Sequence, residues 1–124
     1  MNIFSLLFIY YLVRNSFTGK LFALKQIPKI QDKKITLQAF RERDILSKIN
    51  SPFIPKLYAS FESEFFLFFL IEYAPGGELF YLLKKQKIFE ESLTKFIFAQ
   101  IVLIFEYLHS LNILYRDLKV VFII

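Results

Sequence analysis

An α+β fold is predicted for this 124-residue chain, and two observations predict it. The N-terminal part carries short runs rich in β-branched and aromatic residues, bounded by turn residues and interrupted by one stretch of helical periodicity. The C-terminal part carries two helical stretches before a final loop. Strands gathered in one region and helices in another describe a sheet with its helices set apart, rather than alternating crossover units.

Residues 1–14, MNIFSLLFIYYLVR, suit one or two strands. The cluster from Asn15 to Lys20 is a turn, with Gly19 available for positive φ. Leu21 to Ile27 reads as a strand, and Pro28 to Ile35 as a basic connector. Thr36 to Ile49 repeats apolar residues at helical spacing (Leu37, Phe40, Ile45, Ile49), and Ser51-Pro52 is the expected stop, because a residue before proline is pushed out of the α region. Leu57 to Phe61 and Phe65 to Glu72 form a hairpin pattern around Glu62-Ser63-Glu64. Pro75-Gly76-Gly77 is a turn into a short helix, Leu79 to Lys85, with Glu78 at its positively polarised start. Glu90 and Glu91 open a long helix reaching about Leu111. Its run from Phe96 to Leu108 is apolar on nearly every face, which calls for burial on all sides. The expected sheet has four to five antiparallel strands with one packed helix.

At 14.8 kDa the chain is of single-domain size. Hydrophobic residues make up 56% and Phe occurs 17 times, which is high for a soluble domain. The net charge is +5. Lys29, Lys33, Lys34, Arg41, Arg43, Lys84, Lys85 and Lys87 flank helical stretches and read as solvated faces. No nucleic-acid recognition motif accompanies them, so no nucleic-acid partner is expected. There is no Cys, which excludes a disulfide framework and thiolate metal sites and fits a cytoplasmic protein. The run Ile3 to Val13 is far short of the ~20 residues of a spanning helix. Phe96 to Leu108 is broken by Gln100 and Glu106. A membrane location is therefore not expected, the alternative being an N-terminal hydrophobic anchor.

Five stretches carry possible chemistry. They are Phe22-Ala23-Leu24-Lys25, Arg41-Glu42-Arg43-Asp44-Ile45-Leu46, Glu72-Tyr73-Ala74-Pro75-Gly76-Gly77-Glu78-Leu79-Phe80, the helix segment with Ala99-Gln100-Ile101-Val102 and Phe105-Glu106-Tyr107-Leu108-His109-Ser110, and Tyr115-Arg116-Asp117-Leu118-Lys119. Each has a plainer reading. A strand-end Lys reaches water, a helix Glu joins a surface charge pair, Pro-Gly-Gly-Glu is a turn and helix start, and Arg-Asp-Leu-Lys is solvated loop. His109 is the sole His and reads as a structural residue at the helix end.

Taken together and in order, these stretches resemble a protein kinase, of the AGC serine/threonine type and nearest the cAMP-dependent catalytic subunit. The resemblance runs almost without gaps from Leu12 to Lys119. It implies a kinase-like small lobe over residues 1–72, a hinge over 73–78 and the start of the large lobe over 79–124. It implies ATP and Mg²⁺ as cofactors and a protein substrate with basic residues, with a regulatory subunit as a further partner. By resemblance Lys25 holds the α- and β-phosphates and pairs with Glu42, and Ala23 belongs to the same nucleotide-binding strand. Glu72 and Ala74 read adenine through the main chain, Glu78 binds the ribose hydroxyls, and Ile71 stands at the gatekeeper position. Leu46 and Leu57 belong to the hydrophobic column of the lobe. Asp117 is the catalytic base and Lys119 steadies the transferred phosphate.

Three departures bear on mechanism. The Gly-rich phosphate loop is missing: its glycine positions fall on Ile3, Ser5 and Phe8, and Tyr10 replaces the Val that caps adenine. Glycines are needed there because backbone N–H groups must approach the phosphates closely. The Mg²⁺-binding Asn, five residues after Asp117, is replaced by Phe122, which offers no oxygen ligand, and an acidic substrate-reading position falls on Val121. Nothing in the chain corresponds to the later kinase motifs. Negligible kinase activity is therefore expected of this chain, no metal ligand is assigned, and poor solubility is expected from the uncovered long helix. A non-catalytic, pseudokinase-like interaction fragment is the alternative.

Overall fold

The computed structural model describes residues 8–29 and 33–114, with backbone alone at residues 33–35. Seven elements occur in them: β1 (Ile9–Arg14), β2 (Leu21–Pro28), α1 (Lys33–Leu46), β3 (Leu57–Glu62), β4 (Phe66–Glu72), α2 (Leu79–Gln86) and α3 (Glu91–Ser110). The chain forms two compact units. The first comprises residues 1–50 and 55–73, and the second residues 51–54 and 74–124.

In the first unit the four described strands make one antiparallel sheet in the order β1-β2-β4-β3. One antiparallel sheet with a helix behind it, followed by two further helices in sequence, is the α+β class expected from the sequence. The turn between β1 and β2 closes locally. The Asn15 side-chain oxygen accepts from the N–H groups of Phe17 and Thr18, at 3.0 and 2.8 Å. Gly19, at φ 72°, supplies the left-handed residue that returns its N–H to Asn15 O. Between β3 and β4, Ser63 N–H donates to Phe66 O and Ser63 Oγ accepts from Phe66 N–H.

Strand alternation selects the core. Lys25 and Ile27 of β2, with Leu67 and Phe69 of β4, are buried on the sheet face that meets Ala39 of α1. Phe8, Phe40, Leu57 and Ile71 pack around them. Ile27 and Phe69 are fully enclosed, each worth about 1.5–3 kcal/mol of apolar burial.

Helix α1 differs from the sequence expectation at both ends. It starts at Lys33, so residues 33–35 of the expected connector are helical, and it finishes at Leu46 rather than Ile49. Ser51-Pro52 is not what ends it. Ser47 Oγ donates to Asp44 O at 2.9 Å, and Lys48 N–H bonds the carbonyl of Ile45, tightening the last turn before the proline is reached. β2, β3, β4 and the two later helices lie within a residue of their expected bounds; β1 covers only Ile9–Arg14 of the expected stretch 1–14, and residues 1–7 lie outside the described residues.

In the second unit, Leu79 of α2 and Leu108 of α3 are buried. Lys87, at φ 65°, ends α2 by donating its N–H to Leu83 O. Asn112, at φ 57°, ends α3 with its N–H on His109 O. Burial on every side of α3 is not observed. Phe96, Phe98, Val102 and Leu103 are exposed, Phe96 and Phe98 to 63%.

Candidate functional site

The site is built on adjacent strands and the helix behind them. In the β1–β2 register Tyr10 stands opposite Lys25, and in the β2–β4 register Lys25 stands opposite Phe69. All three therefore share the face that α1 covers, and Phe8, two residues before Tyr10, reaches the same space. From α1, Glu42 lies one turn before Leu46. The Lys25 Nζ donates to Glu42 Oε1 at 2.6 Å, joining strand to helix across 17 positions of sequence.

The two partners are unequally buried. The Lys25 side chain is 8% exposed and that of Glu42 40%. Aromatic rings enclose the rest of the ammonium: Phe8 lies with its centroid 4.5 Å from Nζ and Phe69 with its centroid at 5.9 Å. Both stabilise the cation through their π faces. Burial pushes the Tyr10 hydroxyl above its ordinary pKa, and the Glu42 carboxylate adds to the effect by disfavouring a second negative charge. The cluster thus holds an ammonium, one carboxylate, a neutral phenol and two apolar rings.

Of the other sequence-derived residues in the first unit, Ala23 is half-buried on β2 opposite Leu12 and Ile71. Glu72 ends β4, where its N–H bonds Lys56 O at 2.9 Å and its carboxylate accepts from Lys56 N–H at 3.2 Å. Leu57 and Ile71 pack against the core. In the second unit, Ala74 is half-buried and Glu78 exposed. Glu78 occupies the position before α2, and its carbonyl accepts from the N–H groups of Tyr81 and Leu82. Asp117 and Lys119, with Val121 and Phe122, lie outside the described residues.

The residues present fit a nucleotide triphosphate poorly. An ammonium oriented by a carboxylate can meet phosphate charge, but this one has little open surface, and Phe8 contributes a ring in place of a glycine. Among the described residues, no cluster of three or more His, Asp or Glu side chains could hold a metal ion. A recess of about 130 Å³ lies between α1 and the β3–β4 hairpin, lined by residues such as Phe40, Arg43, Phe61 and Phe69; Lys25 and Glu42 are not part of it. The contribution of Phe69 to the lysine's cage had no sequence signal of its own, since it depends on strand register. Phe8 and Tyr10 did have one, as departures from a glycine-rich pattern.

Comparison with known proteins agrees with this geometry. The protein kinase domain family matches residues 9–124. The chain belongs to that family. Its relatives carry protein kinase names, several of them serine/threonine kinase names. It is 44% identical over 111 residues to Protein kinase 3 of Dictyostelium discoideum, covering 88% of this chain and 12% of that protein. It is 43% identical over 109 residues to the RAC family serine/threonine-protein kinase homolog of the same organism, covering 86% of this chain and 24% of the relative. Against the cAMP-dependent protein kinase, catalytic subunit-like protein of Caenorhabditis elegans, identity is 39% over 110 residues, covering 87% and 28%. The chain thus spans only a small part of the length of each of these proteins.

Proposed function

We propose that this chain is part of a serine/threonine kinase domain of AGC type, nearest the cAMP-dependent branch. In an intact enzyme such a part would serve ATP- and Mg²⁺-dependent phosphoryl transfer to Ser or Thr of basic protein substrates, in the cytoplasm. The observation that carries this reading is the 2.6 Å Lys25–Glu42 pair, formed between the strand and helix where the resemblance requires it. In that reading Lys25 neutralises phosphate charge, Glu42 orients it, Glu72 and Ala74 read adenine with main-chain groups, Glu78 takes the ribose, Asp117 accepts the substrate hydroxyl's proton, and Lys119 steadies the transferred phosphate.

The chain itself is inactive in this proposal. Phosphoryl transfer is catalysed by positioning and charge neutralisation. Phe8 packs on the ammonium that should meet phosphate, and the sequence has Phe122 where the family's metal-binding Asn stands. The test is phosphate transfer from Mg²⁺-ATP to a basic Ser/Thr peptide by the purified chain. No transfer above that of an Asp117→Asn variant is expected, and robust transfer that depends on Asp117 would overturn the proposal.

The second reading is a non-catalytic interaction fragment. It is favoured by the exposure of Phe96, Phe98, Val102 and Leu103 on α3, since exposed apolar helix surface marks contact sites.

A further inference from the structure

Tyr58 lies outside the site described above, and its surroundings are unlike those of Tyr10. It sits on β3, a terminal strand of the described sheet. The β3–β4 register passes from Leu57 opposite Ile71 directly to Ala59 opposite Leu70, so Tyr58 is the extra residue of a bulge. Bulges on terminal strands re-aim a side chain away from the regular alternation. Here the ring stands edge-on against Phe22, with centroids 4.9 Å apart. Its hydroxyl accepts from Lys20 Nζ at 2.8 Å, across 38 positions of sequence. Two ammonium groups lie close to the ring, that of Lys20 at 4.5 Å from the centroid and that of Lys56 at 5.8 Å. The side chain remains 40% exposed.

We propose that Tyr58 is a phosphorylation site whose phosphate is received by Lys20 and Lys56. A phosphotyrosine carries about −1.5 to −2 charge and three acceptor oxygens, and it is stabilised where cations already stand. The bulge and the Phe22 contact hold the ring, and Lys20 already donates to the oxygen that would bear the phosphoryl group. In the transfer, the Tyr58 oxygen forms a bond to the γ-phosphorus of a nucleoside triphosphate. The bond from that phosphorus to the β–γ bridging oxygen breaks, and its electron pair leaves with the nucleoside diphosphate. The phenolic proton passes to the base of the transferring enzyme, a separate tyrosine-directed kinase. The Glu72 carboxylate accepts from Lys56 N–H at 3.2 Å. Tyr10 is the contrasting case, because Glu42 opposes added negative charge there.

The experiment treats the full chain with a broad-specificity tyrosine kinase and Mg²⁺-ATP, maps the products by mass spectrometry, and follows the phosphate by ³¹P NMR titration. Tyr58 should be modified ahead of Tyr10. Its phosphate should ionise about one unit below the ordinary second value near 6. The K20M/K56M variant should still be phosphorylated but return the titration to the ordinary value. Phosphorylation that bypasses Tyr58 overturns the proposal. So does a Tyr58 phosphate whose ionisation is the same with and without the two lysines.

Discussion

Removing Glu42 and removing Lys25 should have unequal consequences. In Glu42→Ala the Lys25 ammonium, 8% exposed in the native chain, loses its carboxylate partner. Breaking a fully buried ion pair by deleting one member costs about 3–5 kcal/mol. Two features reduce that figure here. Glu42 is already 40% exposed, so part of its attraction is screened. The rings of Phe8 and Phe69 still face the ammonium, and each such contact offsets about 0.5–1 kcal/mol. A cost of about 2 kcal/mol remains. In Lys25→Met the roles reverse. An apolar chain of similar length fills the aromatic cage, and Glu42 turns to water, so the cost is about 1 kcal/mol or less. Urea unfolding of both single variants and of the double variant measures this, and the cycle should return a coupling of about 1–2 kcal/mol. If Lys25→Met proves the more damaging, or if the two changes are additive, the reasoning from unequal burial is refuted.

Other consequences can be measured on the same protein. Phe69→Ala removes one of the two fully enclosed side chains and should cost about 3–5 kcal/mol in urea unfolding. Tyr10 has a raised folded-state pKa, so its contribution is complete below the unfolded value of about 10 and is lost as pH climbs through the folded value. The unfolding midpoint should fall across that alkaline window, and Tyr10→Phe should flatten it. Glu62 has a lowered pKa, first because Lys29 hydrogen-bonds it and then through that lysine's charge. Its contribution is present above the unfolded carboxylate range and lost as pH falls through the folded value; an NMR titration should show Lys29→Met raising the Glu62 pKa. Replacing the exposed Phe96 and Phe98 of α3 by Gln should leave the unfolding midpoint of the first unit unchanged and reduce light scattering, because these side chains are open to solvent.

The elements were legible because their signals are local. Gly19 and Asn15 announce the first turn, Glu62-Ser63-Glu64 the second, and the apolar runs between them fix the strands. What stayed hidden depends on partners distant in sequence. Periodicity extended α1 to Ile49, yet Ser47 and Lys48 draw its last turn tight three residues earlier. The Lys25–Glu42 pair could be anticipated through family resemblance, although nothing local to either residue announces it. The Phe69 contact with Lys25 follows from β2–β4 register, and the placement of Tyr58 from a one-residue bulge. Neither leaves a trace in composition. Asp117 and Lys119 were read from the sequence and lie outside the described residues.

In the proposed inactive chain, Phe8 and Tyr10 close the phosphate side of Lys25. Equilibrium dialysis with radiolabelled ATP and Mg²⁺ measures this directly, on the native chain and on the F8G/Y10V variant. No saturable binding by the native chain, and measurable binding by the variant, is the predicted result. Saturable ATP binding by the native chain that Lys25→Met abolishes would contradict it.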